Sequence, residues 1–174
     1  RPPRRMHRSL TPRPPVRRTI AIVDCGFGTI ERVQRAYEDL GARTIVVADD
    51  VRLLAQADRI ILPDAGAFPD AMRQLRTRGL DEALSYEVLE GGVPFLGIGL
   101  GMQLMAAVSD ELTETNGLGW VDARVVPVRP IEADRLTPHT GWNEVWPVCA
   151  SPLFDGIRPG EAFHFLHSFH VVCA

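Results

Sequence analysis

The residues with the most to say about chemistry are Gly97-Ile98-Gly99-Leu100-Gly101. Their spacing is that of a nucleophile elbow, Gly-x-nucleophile-x-Gly, in which a strand turns sharply into a helix and holds a reactive side chain at the turn. The apolar run Val93-Pro94-Phe95-Leu96 reads as the incoming buried strand, and Leu100 to Val108 reads as the helix. Chemistry at such a turn is acyl transfer. A side-chain nucleophile attacks a carbonyl carbon, and backbone N–H groups beside it receive the oxyanion. The nucleophile position here is Gly99, so the frame of an active site stands without its reagent.

That frame needs a sheet to carry it. Thr19 to Asp24 is a continuous apolar run ending in an acid, the pattern of a central parallel strand. Cys25 to Gly28 is a glycine turn. With Thr29 as N-cap, Ile30, Val33, Tyr37 and Leu40 then recur at helical spacing up to the stop at Gly41. Ala42 to Val47 reads as a second strand, Val51 to Ala55 as a short helix, and Arg59 to Leu62 as a third strand closed by Pro63. Repeated β-α units predict a parallel sheet covered by helices on both faces, with ligands beyond the carboxyl ends of the strands. Three loops fall there: Cys25 to Gly28, Pro63 to Phe68 and Gly97 to Gly101. Pro69 to Arg78 and Leu80 to Glu90 read as helices hinged at Gly79, ended by Gly91-Gly92.

The second half reads as mixed or antiparallel and continuous with the same core. Ala123 to Val128 alternates like a strand, Thr137 to Asn143 reads as a loop, and Glu144 to Trp146 as a short strand. Ser151 to Ile157 is a capped helical turn, and Ala162 to Leu166 a strand that meets His167-Ser168-Phe169-His170.

Composition excludes several classes. At 174 residues and 45% apolar content, one core and one domain are expected, over residues 19–174. No apolar run approaches the roughly 18 residues that span a bilayer, so no membrane segment is expected. Residues 1–18 hold seven arginines, five prolines and no acid, which predicts a disordered basic leader outside the functional domain. The net charge of −3 therefore leaves about −10 on residues 19–174, which argues against nucleic acid as a partner. Lysine is absent, excluding a Walker-A phosphate loop and a lysine Schiff base. Gly26-x-Gly28 begins a dinucleotide fingerprint, but Glu31 occupies the place of its third glycine. Cys25, Cys149 and Cys173 show neither disulfide nor metal spacing, which fits a reducing, cytoplasmic setting. Cys25 stands at a neighbouring strand tip, yet no base is spaced to activate it.

Five segments carry a family likeness: Asp24 to Gly28, Leu62 to Phe68, Phe95 to Gln103, Pro138 to Asn143 and His167 to Phe169. In this order they resemble the glutaminase subunit of imidazole glycerol phosphate synthase, a class I (triad) glutamine amidotransferase of histidine biosynthesis. The resemblance implies a three-layer α/β sandwich of the flavodoxin-like type with a mostly parallel central sheet. It also implies glutamine as substrate, no cofactor or metal, and a (β/α)8 barrel cyclase subunit as the partner that receives ammonia. Carried over by position, Gly99 replaces the catalytic cysteine, and Leu100 with Asp64, Ala65 and Gly66 matches the oxyanion hole. Gly66, Gln103, His167, Ser168 and Phe169 match residues that hold glutamine. His139, Gly141, Trp142 and Asn143 match the face that docks on the cyclase.

The departures are Gly99 for cysteine, Asp64 for a glycine, and Phe169 for a tyrosine. The family's His-Pro-Glu segment also has no match before Ala174, from which an open sheet edge and dependence on a partner are expected. An impaired glutaminase subunit is therefore expected. A non-hydrolysing pseudoenzyme that tunes a cyclase, or a relative serving surface-sugar synthesis, stays open on these residues.

Overall fold

The structure is a computed structural model and describes residues 19–28, 30–129 and 138–174. The expected leader and the expected N-cap Thr29 lie outside the described residues, as does Thr137 at the start of the expected loop. Four parallel strands form the central sheet: β1 (Thr19–Val23), β2 (Arg43–Val47), β3 (Arg59–Asp64) and β4 (Phe95–Gly99), in the order β2-β1-β3-β4. Alternation along these strands sorts two cores. Ala21, Val23, Ile60 and Leu62 face one side, where they meet α2 (Phe68–Thr77) and α3 (Leu80–Ser85) through Phe68, Met72, Leu75, Leu80 and Leu84. Ile20, Ile22 and Ile61 face the other, where α1 (Ile30–Asp39) covers them with Ile30, Val33 and Tyr37. Helix, sheet and helix make the three layers expected of the class.

Local departures have physical causes. Pro63 does not close β3. Pairing to β1 ends at Ile61, so Pro63 and Asp64 pair only with β4, the edge-like setting in which proline is tolerated. Leu40 lies just past α1 and is 82% exposed, so it takes no part in the core. The helix after the elbow is much shorter than expected. It covers only Leu100–Gln103 (α4), and the chain then runs into strand β5 (Ala106–Ser109). A short apolar stretch suits either element, and here pairing decides: Ala106, Val108 and Ser109 lie beside Val121, Arg124 and Val125 of β7 (Val121–Pro127).

A second sheet has the order β10-β7-β5-β6, with β6 at Thr115–Asn116 and β10 at Phe169–Cys173. Its buried Ala106, Ala123 and Val125 join the same core as Leu62 and Phe68, so the two halves are continuous. Trp120 ties them further, meeting Phe95 edge-on at 4.9 Å and donating from Nε1 to Ser85 at 3.0 Å. The segment Pro138 to Asn143 is not a loop. From His139 it is strand β8 (His139–Val145), paired antiparallel with β9 (Glu161–His167). Between them Ser151 caps a single 3-10 turn, Pro152–Phe154, as its sequence predicts.

Candidate active site

The elbow is built by backbone. β4 runs alongside β3 with Ile98 opposite Pro63 and Gly99 opposite Asp64, which brings the two expected loops to one sheet edge. Gly99 caps α4 with φ 60° and ψ −121°, a conformation open to glycine and strained for any residue with a Cβ. The flanking glycines are dictated by close approach. A Cβ at Gly101 would fall 1.8 Å from the Leu62 carbonyl oxygen, and one at Gly97 would fall 2.6 Å from Gly101 O. The sharp turn is thus locked between β3 and α4.

Beside it, Ala65 and Gly66 continue from β3, with Gly66 at φ 111°. Phe27 lies over Gly66, its Cβ 3.5 Å from where a Gly66 Cβ would stand. The loop carrying Phe27 is held twice. The Asp24 carboxylate accepts the Gly26 N–H at 2.7 Å, and Arg78 Nη1 donates to the Asp24 carbonyl at 3.0 Å.

The facing wall comes from the junction of β9 and β10, and there side chains do the holding. Gln103 Nε2 donates to the Phe169 carbonyl at 3.2 Å. His167 Nδ1 lies 2.9 Å from the same oxygen, and His167 Nε2 lies 2.9 Å from His139 Nδ1. The Ser168 carbonyl accepts the Val128 N–H at 2.8 Å, fixing the turn between the strands.

Together these parts enclose a pocket of about 350 Å³ lined by Ala65, Gly66, Gly99, Leu100, Gln103, His167, Ser168 and Phe169. Residues expected at the nucleophile position and the substrate contacts are brought together there, as are Leu100, Ala65 and Gly66 of the expected oxyanion segment; Asp64, opposite Gly99 on β3, is not among the lining residues. Pro138 and Leu166 complete the rim, with one residue that sequence reasoning missed, Glu111. Its Oε2 accepts the Phe68 N–H at the start of α2, 2.8 Å away, while its own N–H donates to buried Ser109 Oγ at 3.2 Å. Arg124 on β7 hydrogen-bonds Asp110 and Glu114, on either side of Glu111, and so steadies the loop. The bond to Glu114, then the charge of Asp110, raises the Arg124 guanidinium above its usual value. No local pattern marks Glu111, because its partner Phe68 is 43 residues away.

The four expected docking residues divide. His139 is half-buried against His167 and stacks on Phe165, with ring centroids 5.2 Å apart. Trp142 is 73% exposed and Asn143 is exposed beside it, with half-buried Gly141 preceding them on β8. Among the described residues no group of three or more His, Cys, Asp or Glu side chains gathers as metal ligands, and no helix is long and apolar enough to cross a membrane.

Comparison with known proteins gives the family and the fold. The family model for class-I glutamine amidotransferases matches residues 21–173. Imidazole glycerol phosphate synthase subunit HisH of Ruegeria pomeroyi is 43% identical over 155 residues, which cover 86% of this chain and 73% of the relative. The subunit HisH of Bdellovibrio bacteriovorus is 44% identical over 156 residues, covering 88% of this chain and 76% of the relative. A crystal structure of a glutamine amidotransferase from Thermotoga maritima shares the fold, with a TM-score of 0.60 at 16% identity over 90% of this chain and 63% of that one. Another glutamine amidotransferase structure gives 0.65 at 17% identity, over 86% and 71%.

Proposed function

The chain belongs to the class-I glutamine amidotransferases, as a HisH-type subunit of imidazole glycerol phosphate synthase in histidine biosynthesis, and from that premise we propose that this copy holds glutamine without hydrolysing it. The observation that carries the proposal is Gly99. The turn keeps the geometry that would present a nucleophile, but no sulfur or hydroxyl projects from it. Amide hydrolysis by the triad route requires that atom to form an acyl-enzyme. In a well-studied serine protease, removing the nucleophile alone lowers turnover on the order of 10⁶-fold.

Binding asks less of the site than hydrolysis does. Glu111, Gln103 and Ser168 are polar residues among those lining the pocket, and their functional groups suit glutamine's ammonium, carboxylate and carboxamide. Leu100, Asp64, Ala65 and Gly66 stand as the oxyanion segment, where a carboxamide oxygen would lie. Trp142 and Asn143, following Gly141 on β8, offer an exposed aromatic anchor and a polar neighbour to a (β/α)8 cyclase, the pattern of an interface hot spot. A heterodimer with that cyclase, acting in the cytoplasm, completes the proposal. The cyclase would then draw on free ammonia while this subunit tunes it.

One assay tests the proposal. The cyclase reaction is followed with this chain present and either glutamine or an ammonium salt as the nitrogen donor. Turnover with ammonium and none above background with glutamine is expected. Equal turnover with glutamine overturns the proposal.

A further inference from the structure

His139 does more in this structure than its place on the proposed docking strand explains. The register of β8 and β9 sets it directly opposite His167, and its Nδ1 lies 2.9 Å from His167 Nε2. The protons on this pair follow from their partners. The Phe169 carbonyl can only accept, so His167 Nδ1 carries the proton that points to it. In the neutral ring, Nε2 then holds a lone pair, and His139 Nδ1–H is the donor that meets it. The Phe169 carbonyl also receives Gln103 Nε2–H, from the helix that follows Gly99. Stacking on Phe165, with an interplanar angle of 24°, holds the His139 ring in the plane this relay needs.

We infer that His139 is a positioning residue for the glutamine pocket: its Nδ1–H fixes the tautomer of His167, which with Gln103 pins the Phe169 carbonyl on the pocket wall. The inference rests on the reading of this pocket as a glutamine site. Without the His139 donor, His167 Nε2 loses its partner, and the ring is free to take the other tautomer and release Phe169. Gln103 then loses the shared anchor that orients its amide.

The test uses the full chain labelled with ¹⁵N-histidine and two variants. His139→Phe keeps a ring against Phe165 but has no donor, whereas His139→Asn retains an N–H near the Nδ1 position. Long-range ¹H–¹⁵N spectra read the His167 tautomer, and calorimetry reads glutamine affinity. The expected results are a single Nδ1–H tautomer for His167 in the natural chain and its loss in His139→Phe. Glutamine affinity should fall about tenfold in that variant, with recovery to within about threefold in His139→Asn. An unchanged His167 pattern and unchanged affinity in His139→Phe overturn the inference. If the natural chain itself fails to bind glutamine, the functional reading falls instead, and the ligand-free tautomer still decides the relay. Should His139→Phe fail to fold, an Nε2–H tautomer of His167 in the natural chain is sufficient to overturn it.

Discussion

The two walls of the pocket are held by different means. The elbow wall, from Pro63 to Gly66 and Gly97 to Gly101, is made of backbone pinned between β3 and α4, with buried Leu62 and Leu100 behind it. The facing wall, His167 to Phe169, sits where two strands meet and depends on hydrogen bonds from Gln103, His167 and His139. One wall is dictated by packing and needs no side chain at Gly99. The other is held by side-chain hydrogen bonds: Phe169 packs on the main core, but the strand that leads into it, β9, pairs only with β8. On the proposed reading of Gly99 as the nucleophile position, the difference explains how the fold can carry glycine there: nothing in the elbow's packing requires a side chain at this residue.

Substitutions can break this contrast, and the largest effect is expected on the packed wall. Gly101→Ala drives a methyl into the Leu62 carbonyl, which must move along with β3. Overpacking of this kind is expected to cost about 3 kcal/mol, visible as a large drop in thermal midpoint. A midpoint within a degree of the natural chain would show that the elbow is not pinned. Gly99→Cys restores the family's residue at φ 60° and is expected to cost about 1–3 kcal/mol. Thermal melts check this, and a stabilised variant would contradict the account of why glycine is tolerated.

On the facing side, Glu111→Ala leaves the buried Phe68 N–H without its carboxylate, a loss of about 1–2 kcal/mol by chemical denaturation. It also removes a charged group from the pocket, so glutamine affinity should fall in the same variant. Stability lost with affinity intact would confine Glu111 to capping α2. The smallest effect lies far from both walls, at Glu38. Hydrogen bonds from Thr44 and then Gln34 hold its carboxyl below the ordinary value of 4.5. A carboxyl depressed on folding contributes stability that is present above its unfolded value and lost as the pH falls through its folded one. Thr44→Val should therefore lower stability slightly near neutral pH and leave it unchanged in strong acid. The reverse order in pH-dependent melts would contradict that assignment.

Most of the elbow wall was legible in the sequence, because its strands are continuous apolar runs and its turn is marked by glycines at fixed offsets. Phe95-Leu96 and Arg59 to Leu62 announce themselves locally, whereas the run of β3 on through Pro63 and Asp64 and of β4 on through Gly97 to Gly99 comes from their pairing with each other. The facing wall was legible only by resemblance. β8 carries Thr140, Gly141 and Asn143 after a proline and shows no clean alternation, so it reads as a loop. Its strand character comes from pairing with β9, whose partner residues lie well down the chain, from Val145 with Glu161 to His139 with His167. Ala106 to Ser109 misleads in the other direction, since apolar residues after a helix start extend the helical pattern until pairing with β7 overrides it. Glu111 carries no signal at all. Its role appears only when the chain brings it to the start of α2.

The central claim, that the pocket takes glutamine and leaves its amide intact, can be read in one NMR titration of the chain into glutamine labelled with ¹⁵N at the carboxamide. The account predicts that the carboxamide resonance shifts or broadens with protein concentration while no ¹⁵N-ammonium signal grows. Growth of that signal at a rate proportional to protein, or a resonance unmoved at any concentration, would contradict it.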